Sequence, residues 1–109
     1  MDAAIEVAAG LIFDKGRLLI AQRNESDHLG GLWEFPGGKV EAGEDGRACL
    51  KRELQEELGI RAEIEERIYH TTHDYSAGSS FDLTFFRVSS YQGELQNNVF
   101  QRITWARVG

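Results

Sequence analysis

The 109-residue chain has one cysteine, one proline and one methionine. A lone Cys49 excludes an intramolecular disulfide and a cysteine-ligated zinc cluster, and fits a reducing compartment such as the cytoplasm. No apolar run approaches the roughly 20 residues of a membrane span, and no basic start leads into an apolar stretch, so neither membrane insertion nor targeting is indicated. Positive charge is short as well. Twelve Lys and Arg stand against 18 acids, and a net −6 argues against direct binding to nucleic acid. Without a Pro- or Ser-rich linker or an internal repeat, residues 1–109 read as one domain, as expected at about 100–200 residues per domain. What is present suffices for a core: 41% of residues are hydrophobic, with two Trp, three Tyr and six Phe.

Two apolar stretches, 5–13 and 17–23, flank Asp14-Lys15-Gly16 and predict a β-hairpin with a three-residue connection. Residues 24–43 hold five glycines from Gly30 on, the only proline (Pro36), Trp33 and Phe35, and read as an ordered irregular loop. The pattern then becomes helical over 46–58. Leu50, Leu54 and Leu58 recur at i, i+4 and i+8, with Ala48 and Cys49 near the same side. Asp45 is placed to cap the start and Gly59 to stop the helix. Strands are predicted over 62–73 and 80–89, Gln92-Gly93 marks a turn, and Ile103–Val108 forms a last strand. One helix covers one sheet face only, so a further C-terminal helix or a partner is expected over the other.

The negative charge is concentrated. Residues 41–66 contain nine acids and four bases, and so carry −5 of the −6. Within them Glu53, Glu56 and Glu57 share one helical face, at i, i+3 and i+4, with neighbours about 5–6 Å apart. A solvated acidic face usually relieves such a cluster with a base four residues on; Glu57 and Ile60 follow Glu53 and Glu56 at those distances. Carboxylates beside a Gly-rich approach instead suit a hard divalent cation with a polyphosphate.

Gly38, five residues, Glu44, seven residues and then Arg52-Glu53-Leu54-Gln55-Glu56-Glu57-Leu58-Gly59-Ile60 resemble the Nudix box at every defined position, so the box spans 38–60. The preceding LWEFPGGKVEAGE and the hairpin ending LLIAQR are similar to the MutT-like branch, and the resemblance covers roughly residues 5–90. It implies an α/β fold, the Nudix α/β/α sandwich around a central mixed sheet. It also implies a pyrophosphohydrolase using Mg²⁺ or Mn²⁺, with Glu53, Glu56, Glu57 and the Gly37 or Gly38 carbonyl as metal ligands. Glu53 would also activate water, while Arg52 and Glu44 orient the helix carboxylates.

The implied reaction is hydrolysis of a nucleoside triphosphate to the monophosphate and pyrophosphate, with an oxidised guanine nucleotide such as 8-oxo-dGTP as typical substrate. CTP, dCTP or a nucleoside diphosphate sugar is the alternative. A non-catalytic nucleotide- or protein-binding module is the reading of another class, against which all three box glutamates stand. Arg23, Phe35, Trp33 and His28 are candidate substrate contacts, whereas His70 and His73 show no ligand pattern and Cys49 reads as core. The partner is a small nucleotide, and the chain is expected to be a monomer or homodimer. One departure is evident. Six residues before Trp105, where many MutT-like enzymes carry a further Glu, this chain has Val99, and Asn97 and Asn98 nearby offer amides but no base.

Overall fold

The first strand, β1 (Ile5–Asp14), carries small or branched apolar residues on both faces and becomes the spine of the structure. The computed structural model describes residues 4–26, 30–75 and 79–107. β1 turns into β2 (Arg17–Gln22) through Lys15 and Gly16, at φ 51° and 75°. Asp14 pairs with Arg17, so the connection has two residues rather than three. Two consecutive residues at positive φ match the right-handed twist of a hairpin, which keeps Asp14 in the ladder.

The segment expected to be irregular contains two short strands, β3 (Trp33–Glu34) against β2 and β4 (Gly37–Lys39) against β1. β4 lies so close that a Cβ on Gly37 would overlap the Ala8 carbonyl oxygen. Glycine-rich sequence hides this strand because its pairing comes from tertiary approach, not from β propensity.

Helix α1 (Gly46–Leu58) follows as expected. The Asp45 carboxylate accepts the Ala48 N–H at 2.8 Å, and Gly59 ends the helix in the left-handed region at φ 69°. Cys49, Leu50, Leu54 and Leu58 are buried on the sheet, while Ala48 faces solvent. Beneath them Ala8 and Gly10 keep β1 low enough for the helix to settle; a Cβ on Gly10 would already touch Leu50 at 3.5 Å.

The remaining strands are β5 (Arg61–Ala62), β6 (Arg67–Tyr75), β7 (Ser79–Val88), β8 (Tyr91–Gln92) and β9 (Arg102–Arg107). The single strand expected over 62–73 is therefore divided. β5 pairs with β8 in a separate two-stranded sheet, and β6 begins five residues after β5 ends, with an irregularity between Arg67 and Tyr69. β8 occupies part of the predicted turn, β9 starts at Arg102, and Val108 lies outside the described residues.

The main sheet runs β3-β2-β1-β7-β6, with β4 beside β1 and β9 beside β2. It is mixed, because β7 pairs parallel to β1 from Ile5 to Ile12. α1 covers one face with a core of Ile12, Leu19, Leu50, Leu54, Leu58, Ile60 and Val88, each wholly buried. On the face away from α1, Val7, Ala9, Leu83 and Phe85 form the floor of a cavity. No helix among the described residues is long and apolar enough to cross a membrane.

Candidate active site

The leucine stripe fixes the rotation of α1, and that rotation decides where its acids point. Glu53 and Glu57, one turn apart, turn toward β4. The Glu53 carboxylate lies against Gly38 so tightly that a Cβ there would overlap it. The Gly37 backbone N–H lies close enough to Glu57 to favour its charged form, and Glu53 lies alongside. Burial pushes the Glu57 carboxyl well above the usual carboxylate range, and the adjacent Glu53 adds to the rise. The Glu57 Oε1 atom is buried and makes no hydrogen bond.

Glu56 stands apart. Its side chain is 61% exposed and faces Arg52, with Nη1 to Oε2 at 3.5 Å. Among the described residues no three acidic, His or Cys side chains are drawn together as a ready-made cluster. The structure thus brings Glu53 and Glu57 together and leaves Glu56 on the rim.

Arg52 organises this region. Its guanidinium clamps Glu44 through two hydrogen bonds, Nη2 to Oε1 at 2.6 Å and Nε to Oε2 at 3.2 Å, and reaches Glu53 Oε1 at 2.7 Å. The Arg52 bonds hold the Glu44 carboxyl down at about 2, assisted by the Glu41 N–H, and Glu44 in turn raises the Arg52 pKa further. A planar fork that cannot lose its proton fixes the orientation of both carboxylates. Cys49 is core, as expected: its thiol faces the Gly38 and Lys39 carbonyls at 3.5 and 3.3 Å, and burial pushes it up to about 12.

Next to the acids lies a cavity of about 430 Å³. Trp33 and Phe35 wall it, Arg23, Glu34 and Lys39 add charged groups, and Gly37 and Gly38 join it to the carboxylate pair. Phe35 packs edge-on against Phe85 at 6.0 Å, so it serves packing and cavity at once. Trp33 is 43% exposed. Arg23 pairs with Glu34 at 3.3 Å. Sequence reasoning singled out neither Glu34 nor Lys39, although both flank the aromatic and glycine residues that drew attention to this stretch. His28 lies outside the described residues.

Residues of the chain's last loop also meet the helix. Asn98 donates from its backbone to the Glu57 carbonyl at 3.0 Å and from Nδ2 to the Glu56 carbonyl at 3.1 Å. Val99, at the position of the extra Glu, is exposed, and its carbonyl accepts from Asn24 at 2.6 Å.

The residues present fit a divalent cation. An orphaned buried carboxylate oxygen, a second carboxylate beside it and adjacent glycine backbone form an all-oxygen donor set, which hard cations prefer. Oxygen donors for a cation, beside a cavity with aromatic walls and basic groups, suit a ligand that carries both a ring and phosphates. The comparisons narrow that class. The chain matches the NUDIX domain over residues 4–108. It is 42% identical to the CTP pyrophosphohydrolase of Escherichia coli over 101 residues, covering 93% of this chain and 74% of that protein. It is also 42% identical to the 8-oxo-dGTP diphosphatase of Proteus vulgaris over 92 residues, covering 84% and 81%. The MutT Nudix hydrolase from Burkholderia pseudomallei superposes with a TM-score of 0.86 at 25% identity, over 96% of this chain and 84% of that one. The chain belongs to the Nudix family, with its α/β/α sandwich fold, and within it is a MutT-like pyrophosphohydrolase. Enzymes of this family act on nucleotides and generally use divalent metal ions.

Proposed function

We propose that this protein hydrolyses a nucleoside triphosphate to the nucleoside monophosphate and pyrophosphate, with Mg²⁺ as the metal and an oxidised guanine nucleotide such as 8-oxo-dGTP as the substrate. The observation that carries the reading is the Glu53–Glu57 carboxylate pair, with its orphaned oxygen, packed against the glycines Gly37 and Gly38 that line the aromatic cavity. Glu53, Glu57 and Glu56, with a Gly37 or Gly38 carbonyl, would hold the metal. When bound, it neutralises phosphate charge and acidifies the attacking water.

The chain's own groups do the rest. Arg52 occupies Glu53 Oε1, leaving Oε2, which lies against Gly38, to take the proton of the water as it attacks phosphorus. Glu44 holds Arg52 in place, so the acceptor keeps one orientation. Lys39 and Arg23 offer positive charge to the polyphosphate as the anhydride bond to pyrophosphate breaks. Trp33 and Phe35 present ring faces or edges to the base. Removing oxidised nucleotides in this way protects DNA with no contact to it, which suits the acidic surface.

A second substrate reading, CTP, is favoured by the 42% identity to a CTP pyrophosphohydrolase across 93% of the chain. A panel of 8-oxo-dGTP, dGTP, CTP, dCTP and a nucleoside diphosphate sugar with Mg²⁺ separates the two. The expected result is pyrophosphate release, fastest with 8-oxo-dGTP. Glu53→Gln should lower kcat by about 10²–10⁴, the usual worth of a general base. Undiminished turnover in Glu53→Gln removes Glu53 from the mechanism, and orthophosphate as first product overturns the bond assignment.

A further inference from the structure

We propose that residues 95–101 form a brace that holds the acidic end of α1 in register with the strand end bearing Arg23, and that Asn98 is its positioning residue for Glu56 and Glu57. The proposal rests on the reading above, in which those glutamates hold the metal.

A helix leaves its last four carbonyls without intrahelical partners. In α1 all four are bonded. Gly59 N–H takes Gln55 at 3.0 Å, Gln96 N–H takes Leu58 at 2.8 Å, and Asn98 takes both Glu56 and Glu57, through Nδ2 at 3.1 Å and N–H at 3.0 Å. One asparagine thus caps both the residue with the buried carboxylate, Glu57, and the one whose carboxylate turns outward, Glu56. Leu95 and Phe100 pack against the core on either side of it, and Asn97 closes the turn by exchanging two 2.8 Å hydrogen bonds with Phe100.

The same segment is tied to the other side of the site. Asn24 Nδ2 donates to the Val99 carbonyl at 2.6 Å, Gln101 N–H to the Gln22 carbonyl at 3.0 Å, and Glu25 N–H to Gln101 Oε1 at 3.2 Å. Arg23, on the cavity wall, lies between these anchor points.

The chemistry of the donor matters. The C-terminal end of a helix carries partial negative charge, and the last turn of α1 adds Glu56 and Glu57 with no base. Lys or Arg would satisfy the same carbonyls but would compete with a cation for the carboxylates. A neutral amide caps the backbone and leaves the acids available.

The test uses the full chain with Asn98→Leu, which removes the amide at similar volume and keeps the backbone N–H; Asn24→Ala, which cuts the outer tie; and Asn98→Gln, which restores an amide. Mn²⁺ affinity is read by electron paramagnetic resonance without nucleotide, alongside kcat, KM and the melting temperature in EDTA. Asn98→Leu should weaken Mn²⁺ binding about threefold to tenfold, the worth of one hydrogen bond, and lower kcat similarly with KM unchanged. Asn24→Ala should act in the same direction more weakly, and Asn98→Gln should recover most of the loss. If Asn98→Leu, or Asn24→Ala should the former not fold, changes only the melting temperature, the segment is a structural staple and the proposal fails. If Glu53→Gln turns over like the parent while Asn98→Leu loses Mn²⁺ affinity, the catalytic reading fails and the brace stands.

Discussion

Glu57 shows most directly what single residues contribute here. Its burial beside Glu53 raises its pKa above the ordinary 4.5, so the metal-free folded protein keeps a proton that the unfolded chain has released. The unfolded state then binds fewer protons, and stability falls as pH rises from 4.5 toward the raised value. Melting temperatures in EDTA should therefore decline from pH 5 to pH 8. Saturating Mg²⁺ should remove much of that slope, and Glu57→Gln should flatten it without metal. The two glycines at the site divide in another way. A Cβ on Gly37 meets backbone at Ala8, whereas one on Gly38 meets the flexible tip of Glu53. Gly37→Ala is expected to unfold or strongly destabilise the chain. Gly38→Ala should fold, displace the Glu53 carboxylate and cost kcat about a hundredfold, as misplacement on the scale of an ångström does. Thermal melts paired with steady-state kinetics separate the outcomes. The i, i+3, i+4 spacing made all three acids visible as one helical face. It could not reveal that Glu53 and Glu57 are pressed against β4 while Glu56 turns outward, because that depends on strand β4 and on where Arg52 lies.

At the scale of elements, the bounds, caps and leucine stripe of α1 were legible, Ala48 apart, and β4 was not. The helix announces itself through local terms: the Leu50/Leu54/Leu58 repeat, the Asp45 cap and the Gly59 stop all act within a few residues. Each can be tested separately. Asp45→Ala should cost about 1 kcal/mol through the lost cap, and Leu54→Ala about 2–5 kcal/mol through a cavity over the sheet. Chemical denaturation with two-state analysis measures both. Strands β3, β4, β5 and β8 are two or three residues long and have no periodicity to read. They exist because neighbouring chain offers a partner: β1 for β4, β2 for β3, and β8 for β5. The last loop was illegible for a related reason. Asn97 and Asn98 looked like poor replacements for a missing acid, and only the folded chain shows Asn98 donating to the end of α1.

Taken whole, the molecule puts its apolar core and its cavity on opposite faces of the sheet. The face under α1 holds the wholly buried residues, and the opposite face holds the aromatic cavity. The carboxylate pair sits where α1 and β4 meet, so it inherits its geometry from the core, and Gly37 and Gly38 link it to the cavity wall. Charge follows the same plan. The −5 carried by residues 41–66 belongs mostly to the approach to α1 and to α1 itself, and the outlying Glu65 accepts hydrogen bonds from Ser89.

Cys49 joins these two regions, since its thiol is wholly buried yet faces the carbonyls of Gly38 and Lys39. It is therefore a built-in clock for the breathing of the site. A thiol reagent can modify it only when α1 lifts from β4, so the labelling rate in excess reagent reports how often that happens. A metal held between α1 and β4 would slow the clock, and one minus the ratio of the rates with and without Mg²⁺ gives the fraction of openings that the ion suppresses.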